Sequence, residues 1–209
     1  MHRYTGCLVV CLFVSGAAAA ATGVAVQVQD VNGKVLPDTV IYVEPESGTA
    51  AGRSGPAAQI EQKGLKFVPL VTVVQVGATI NFPNNDKVRH HIYSFSPAHK
   101  FDQKLYSGEA AAPQVFDKAG TVVLGCNIHD KMIAYVKVVD TPWFAKTDGS
   151  GAARIELPAG GKYVVKAWHY NAAGGATPEQ VLTVKSGELA TTVFKLALKP
   201  PVAGDSPSS

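Results

Sequence analysis

Cys126-Asn127-Ile128-His129-Asp130-Lys131-Met132 places a thiol, an imidazole and a thioether at C-x2-H-x2-M spacing. The sequence holds two methionines, the initiator and Met132. An upstream imidazole, His90 or His91, completes a two-His, one-Cys set with a weak axial Met, the donor set of a mononuclear copper site that exchanges single electrons. The plainer alternative is a small buried hydrophobe beside a gap-filling thioether. Histidine at the third place of the run favours metal over that reading.

The start of the chain sharpens this choice. His2 and Arg3 give a short positive start, Cys7 to Val14 an apolar stretch, and Gly16 to Ala21 a run of small residues, the layout of a secretory signal over residues 1–21. Cleavage near Ala21 removes Cys7 and Cys11 and leaves Cys126 as a single thiol. In an oxidising compartment a single thiol has no intramolecular partner, so it must be buried or bound to metal to escape oxidation. Loss of Arg3 leaves 18 basic against 16 acidic residues, a net of +2, which argues for neither nucleic acid nor an anionic membrane as partner. No later apolar stretch reaches spanning length. The expected location is periplasmic or secreted.

The elements that must position these residues read as strands. Short segments rich in Val, Ile, Thr and aromatics recur between Gly, Pro and Asn clusters, and helical periodicity is nearly absent, so the predicted fold class is all-β. The spacing predicts strands over 24–29, 40–44, 67–74, 78–82, 91–95, 120–125, 133–139, 152–156, 163–168, 179–185 and 191–198. Phe194, Leu196 and Leu198 share one parity, as a half-buried strand requires. Asp30-Val31-Asn32-Gly33 and Asp148-Gly149 carry hairpin signals, and Gly48 to Ala58 reads as a linker. Residues 200–209 lack the apolar content to order themselves.

Two resemblances attach to these residues. The stretch Val76-Gly77-Ala78-Thr79-Ile80-Asn81-Phe82-Pro83-Asn84-Asn85-Asp86, followed by His90 and by Gly125-Cys126-Asn127-Ile128-His129 with Met132, resembles a cupredoxin of the plastocyanin and amicyanin group. More narrowly it is similar to the exported cupredoxin-like proteins of the methylamine utilisation type. That resemblance covers residues 57–139 and implies a Greek-key β-sandwich. Asp30-Val31-Asn32-Gly33-Lys34 with Pro37-Asp38, and Thr147-Asp148-Gly149-Ser150-Gly151 with Leu157-Pro158-Ala159-Gly160-Gly161-Lys162-Tyr163, resemble a carboxypeptidase regulatory-like or transthyretin-like β-sandwich. Residues 22–56 and 140–199 would supply its halves, with the copper module inserted between them. A cupredoxin with an N-terminal extension and a separate C-terminal sandwich is the other arrangement.

The cupredoxin resemblance implies one copper per chain, alternating between Cu(I) and Cu(II), held by His90, Cys126, His129 and Met132. His90 takes the ligand place in the family's pattern, and His91 replaces the Asn that commonly follows and pins the cysteine loop. Strand parity sends the two histidines to opposite faces, so one of them points at the metal, with His91 the alternative. His129 would be the electron port, with Phe82, Pro83, Ile128 and Ile133 either as an apolar rim around it or, for Phe82 and Ile133 equally, as side chains that close the sandwich end. His99 reads as a solvated loop histidine and His169 as an edge or surface residue. Lys87, Arg89, Asp130 and Lys131 read as solvated charges.

The expected function is electron transfer between redox partners, a dehydrogenase or cytochrome c type on one side. A copper carrier without an electron-transfer role and a metal-free interaction sandwich are the alternatives. Enzyme activity is not expected, because the remaining histidines form no second ligand-spaced cluster and no phosphate loop, nucleophile elbow or H-E-x-x-H helix is present.

Overall fold

A computed structural model describes residues 21–48, 55, 57–106 and 112–200. The expected signal segment before residue 21, most of the expected 48–58 linker and the expected tail from residue 201 lie outside the described residues. The fold is all-β. Its strands are β1 (Gly23–Asp30), β2 (Val40–Pro45), β3 (Ala58–Gln59), β4 (Glu61–Gln62), β5 (Phe67–Val68), β6 (Val71–Gln75), β7 (Ala78–Asn81), β8 (His90–Ser96) and β9 (His99–Tyr106). They continue with β10 (Gln114–Phe116), β11 (Gly120–Cys126), β12 (Ile133–Val139), β13 (Phe144–Lys146), β14 (Ala152–Glu156), β15 (Gly161–Trp168), β16 (Glu179–Val184) and β17 (Leu189–Leu196). Among the described residues no helix is long and apolar enough to cross a membrane.

Four sheets make two stacked pairs. Sheet order β6-β12-β11-β8-β9 faces β10-β7-β3, while β14-β1-β17 and β13-β2-β15-β16 are built from the flanking sequence. Between the facing sheets of the middle segment lies a core that includes Ile80, Phe82, Ile92, Phe116, Leu124 and Val136. A second core, with Val24, Val28, Ile41, Val43, Val165 and Phe194, fills the pair from the flanks. Among the described residues every ladder of β1, β2 and β13 to β17 runs to another strand of that set.

Strand periodicity explains how the two pairs meet. Val40, Ile41, Tyr42 and Val43 are consecutive and all buried, a run that one-sided burial cannot give. Ile41 and Val43 enter the flanking core, whereas Val40 and Tyr42 turn the opposite way and join Val71, Val139 and Trp168 in a third cluster. Tyr135 of β12 stacks on Tyr170, ring centroids 5.0 Å apart. The Lys137 ammonium lies 5.6 Å from the ring centroids of both Tyr42 and Trp168. Desolvation, and then repulsion from Lys166, holds that ammonium below the usual lysine range. At the crossing between the segments, Thr141 Oγ1 donates to the Val43 carbonyl at 2.6 Å, and Val43 N–H to that of Trp143 at 2.9 Å.

The structure corrects several sequence expectations. The strand expected over 67–74 breaks at Val68-Pro69 into β5 and β6, which belong to different sheets. Proline has no N–H to continue a ladder there. No strand is predicted over β9, whose Lys100, Asp102 and Lys104 dilute its apolar content, yet it is the sheet's outermost strand, where charge guards an open edge. His99 therefore opens a strand, with its ring centroid 4.5 Å from that of Phe116. His169 is not a surface residue: it is 6% exposed, and its Nδ1 accepts the Asn171 N–H at 3.1 Å.

Trp168 fills the seam between the two stacked pairs, so its removal leaves a void that rigid sheets cannot close. Trp168→Ala is expected to lower the unfolding free energy by about 3 kcal/mol, read as a reduced midpoint in a denaturant titration.

Candidate metal centre

Two strands of one sheet bring the first donors together. On β11, Val122, Leu124 and Cys126 share the inward parity, and on β8 His90, Ile92 and Ser94 do the same. Cys126 is the register partner of Ile92, next along the inward face from His90. A bulge between His90 and Ile92 sets two residues of β8 against three of β9, a local irregularity that re-aims a side chain at a sheet end. His90 is fully buried. His91 points to the other face and pairs with Asp102, so of the two histidines it is His90 whose ring lies beside Cys126.

The Cys126–Met132 turn supplies the rest. Met132 N–H donates to the His129 carbonyl at 2.9 Å, and Cys126 N–H to that of Met132 at 3.2 Å, closing the loop on itself. His90 Nδ1 and His129 Nδ1 are 3.2 Å apart, and Cys126 Sγ lies 3.9 Å and 3.6 Å from them. One ion at ordinary metal–nitrogen and metal–sulfur bond lengths would separate two nitrogens by about 3.4 Å and sulfur from nitrogen by about 3.6 Å. The donor set thus fits a single metal ion. A hydrogen bond could join any one pair of these atoms, whereas one cation at their centre meets all three lone pairs. His90, Cys126 and His129 form a cluster able to hold a metal. Met132 is buried and lines a cavity of about 460 Å³ together with Cys126.

The ring of His90 is fixed from behind. Its Nε2 lies 2.8 Å from Asp86 Oδ2, which leaves Nδ1 toward the cluster. Asp86 accepts the Gly64 N–H at 2.6 Å and the Leu65 N–H at 3.1 Å. Burial works against this carboxylate, but the two amides and His90 outweigh it and hold its pKa below the usual range. Asn84 secures the same loop, donating from Nδ2 to the carbonyls of Val88 and Tyr106 and accepting the Asp86 N–H. The sequence reading gave Asp86 and Asn84 no role. The signal was present: a carboxylate near a candidate metal imidazole is the usual partner for its second nitrogen.

The loop is pinned without the family's asparagine after the first histidine. Asn127 N–H reaches the backbone carbonyl of His91 at 3.4 Å, so main chain supplies a tie that a side chain was expected to give. Gly125 is required beside it. A Cβ there would lie 2.8 Å from the Tyr93 ring, which packs directly on this backbone. Behind the site, Tyr106 hydroxyl donates to the Phe82 carbonyl at 2.7 Å and accepts from the Gln62 amide. Burial above all, aided by Cys126 and opposed by the Gln62 hydrogen bond, pushes the Tyr106 phenol up to about 12.

The expected rim holds in part. Ile128 and Ile133 are exposed and Pro83 is half-buried, but Phe82 is 1% exposed and belongs to the core. Its inward parity on the extension of β7 places it with Ile80.

Asp86→Asn keeps the shape and removes the charge behind His90. It is expected to weaken copper binding about 10–100-fold, measured by competition with a chelator of known affinity. For Tyr106 the folded pKa lies above the ordinary phenol value of about 10. Its contribution to stability is therefore complete below pH about 10 and lost as pH climbs through about 12. Denaturant midpoints measured at pH 9 and above pH 11 should diverge less in Tyr106→Phe than in the parent.

No protein-family model matches the chain, and no curated protein matches it. Among solved structures it is similar to a purple cupredoxin from Nitrosopumilus maritimus, at 24% identity over 39% of this chain and 99% of that one, with a TM-score of 0.35. It is similar to the P52G mutant of amicyanin in its reduced Cu(I) form, at 22% identity over 47% of this chain and 98% of that one, TM-score 0.37. A copper-containing nitrite reductase from Thermus scotoductus matches at 22% identity over 46% of this chain, TM-score 0.38, and only 25% of that enzyme is spanned.

Proposed function

We propose that this chain is an exported mononuclear copper protein that passes single electrons between redox partners. The observation that carries the reading is the convergence of His90 Nδ1, Cys126 Sγ and His129 Nδ1 at separations that suit one ion. Met132 would be the weak axial donor that completes a type 1 copper set. Bound copper would supply a one-electron Cu(I)/Cu(II) couple. The protein's part is to hold the donors: Asp86 fixes one imidazole, and the closed 126–132 turn fixes the other with the thiolate. Donors held this firmly would change place little between the two oxidation states of a bound copper, which is what fast electron exchange needs.

His129 is half-buried in a turn whose residues 127, 128, 130 and 131 are exposed, so its outer edge offers a way from the cluster to solvent. That edge is the proposed electron port, and a dehydrogenase or a c-type cytochrome is the proposed partner class. In the same proposal residues 1–21 are removed on export to the periplasm. Residues 57–139 form the copper module, inserted into a transthyretin-like sandwich made from 22–56 and 140–199. The strand pairings of the flanks with each other support that division.

Titration of the purified mature protein with Cu(II) is expected to produce an intense visible thiolate-to-copper band at one equivalent, bleached reversibly by a one-electron reductant. Cys126→Ala and His90→Ala should each abolish the band, while His91→Ala keeps it. Tight Cu(I) binding without the band would replace electron transfer with copper carriage.

A further inference from the structure

Two loops beside the metal cluster carry a charge pattern that the electron-transfer reading does not use. Residues 63–66 form a tight turn, with Lys63 N–H donating to the Lys66 carbonyl at 3.0 Å, and its tip amides bind Asp86. The turn is thereby joined to residues 86–89, which lead into His90. On these two loops Lys63, Lys66, Lys87 and Arg89 are all exposed. The one acid among them, Asp86, turns its carboxylate toward His90 and the turn amides. Among the described residues none of the four cations has an ion-pair partner.

Apolar side chains sit between the cations. Leu65 is 49% exposed and Val88 45%, and Ile128, 49% exposed, adjoins His129. Leu65 has a φ of +57°, following Gly64 at +63°. The left-handed region is costly for a leucine, and a two-residue turn of this kind favours glycine or asparagine at that place. Fold stability therefore gives no reason for leucine at an exposed tip. Contact with another surface does.

We infer that Lys63, Lys66, Lys87 and Arg89, surrounding Leu65 and Val88, form the docking face for an acidic surface on a redox protein partner, which they steer onto the His129 edge. The inference rests on the electron-transfer reading and adds the chemistry of the partner. Uncompensated cations raise the encounter rate with an acidic face, and the exposed apolar centre gives the short-lived contact that electron exchange needs. A protein suits this face better than a membrane: the patch is small, its loops are joined through Asp86 to His90 of the cluster, and the chain as a whole carries little net positive charge.

The test compares the full mature protein with Lys63→Glu/Lys87→Glu, with Leu65→Gly, and with the charge-matched control Lys118→Glu/Lys195→Glu. Electron exchange of the copper-loaded forms is followed by stopped flow against an acidic and a basic c-type cytochrome. The acidic cytochrome should react faster, and its rate should fall as salt rises. Lys63→Glu/Lys87→Glu should slow it about tenfold at low salt, and the control should not. Leu65→Gly should slow it several-fold while keeping or raising the melting temperature. A preference for the basic cytochrome, or equal effects of the two charge-reversed pairs, overturns the inference.

A metal-free arm separates this outcome from failure of the copper reading. Hexacyanochromate(III), a paramagnetic anion, should broaden the amide signals of residues 63–66 and 87–89 in the apoprotein and not in Lys63→Glu/Lys87→Glu. Uniform or remote broadening overturns the docking face even if the copper band is present. Binding to phosphatidylglycerol vesicles that depends on the same lysines, without discrimination between the cytochromes, assigns the face to a membrane and overturns the protein partner.

Discussion

The candidate metal centre depends on one constraint: an imidazole whose two nitrogens have different tasks. Asp86 takes Nε2 of His90, so Nδ1 is the nitrogen left for Cys126 and His129. A carboxylate in this place also raises the donor strength of the opposite nitrogen. Asp86 is itself held by two amides from a turn more than twenty residues upstream. The 63–66 turn, the 84–89 loop and the start of β8 therefore form one mechanical unit. Asn84 extends that unit to the end of β9 through the Tyr106 carbonyl.

The remaining donors are placed by simple means. Cys126 faces inward because it ends a strand whose even residues line the core, and His129 follows three residues later on a turn closed by its own backbone. A cysteine so buried is screened from solvent, which slows its oxidation. The sheet bearing both Cys126 and His90 is in turn backed, at its β6–β12 side, by the Tyr42, Trp168 and Tyr170 seam. That backing leaves the β8–β9 side and the cluster end open.

How much of this was legible in the sequence follows from which forces were local. The strands with clean period-two patterns, such as Ala152–Glu156 and Ile133–Val139, were readable to the residue because burial on one face writes itself into the chain. The same parity argument sent His90 and His91 to opposite faces, but which of them faces Cys126 rested in sequence on the resemblance alone. Strand β9 was not readable, since an edge strand needs no continuous apolar row, and neither were β3, β4 and β10, where two or three residues pair through tertiary contact. Sequence left Phe82 open between rim and closure of the sandwich end, because its place, between the end of β7 and a proline, looks terminal; its side chain follows the inward parity of Ile80 and belongs to the core.

Asp86, Leu65 and the lysines around them were the harder part, for a physical reason. Each looks like an ordinary solvated loop residue until the 63–66 turn folds onto the 86–89 loop. That contact turns the one acid inward and leaves the cations on the outside. A sequence count of charges gives a near-neutral protein and hides the grouping of four cations on these two loops. Sorting requires no additional cations, only an inward use for the acid, and His90 provides it. The hydrogen bond that orients the imidazole and the basic character of the surface beside it are two consequences of the same carboxylate.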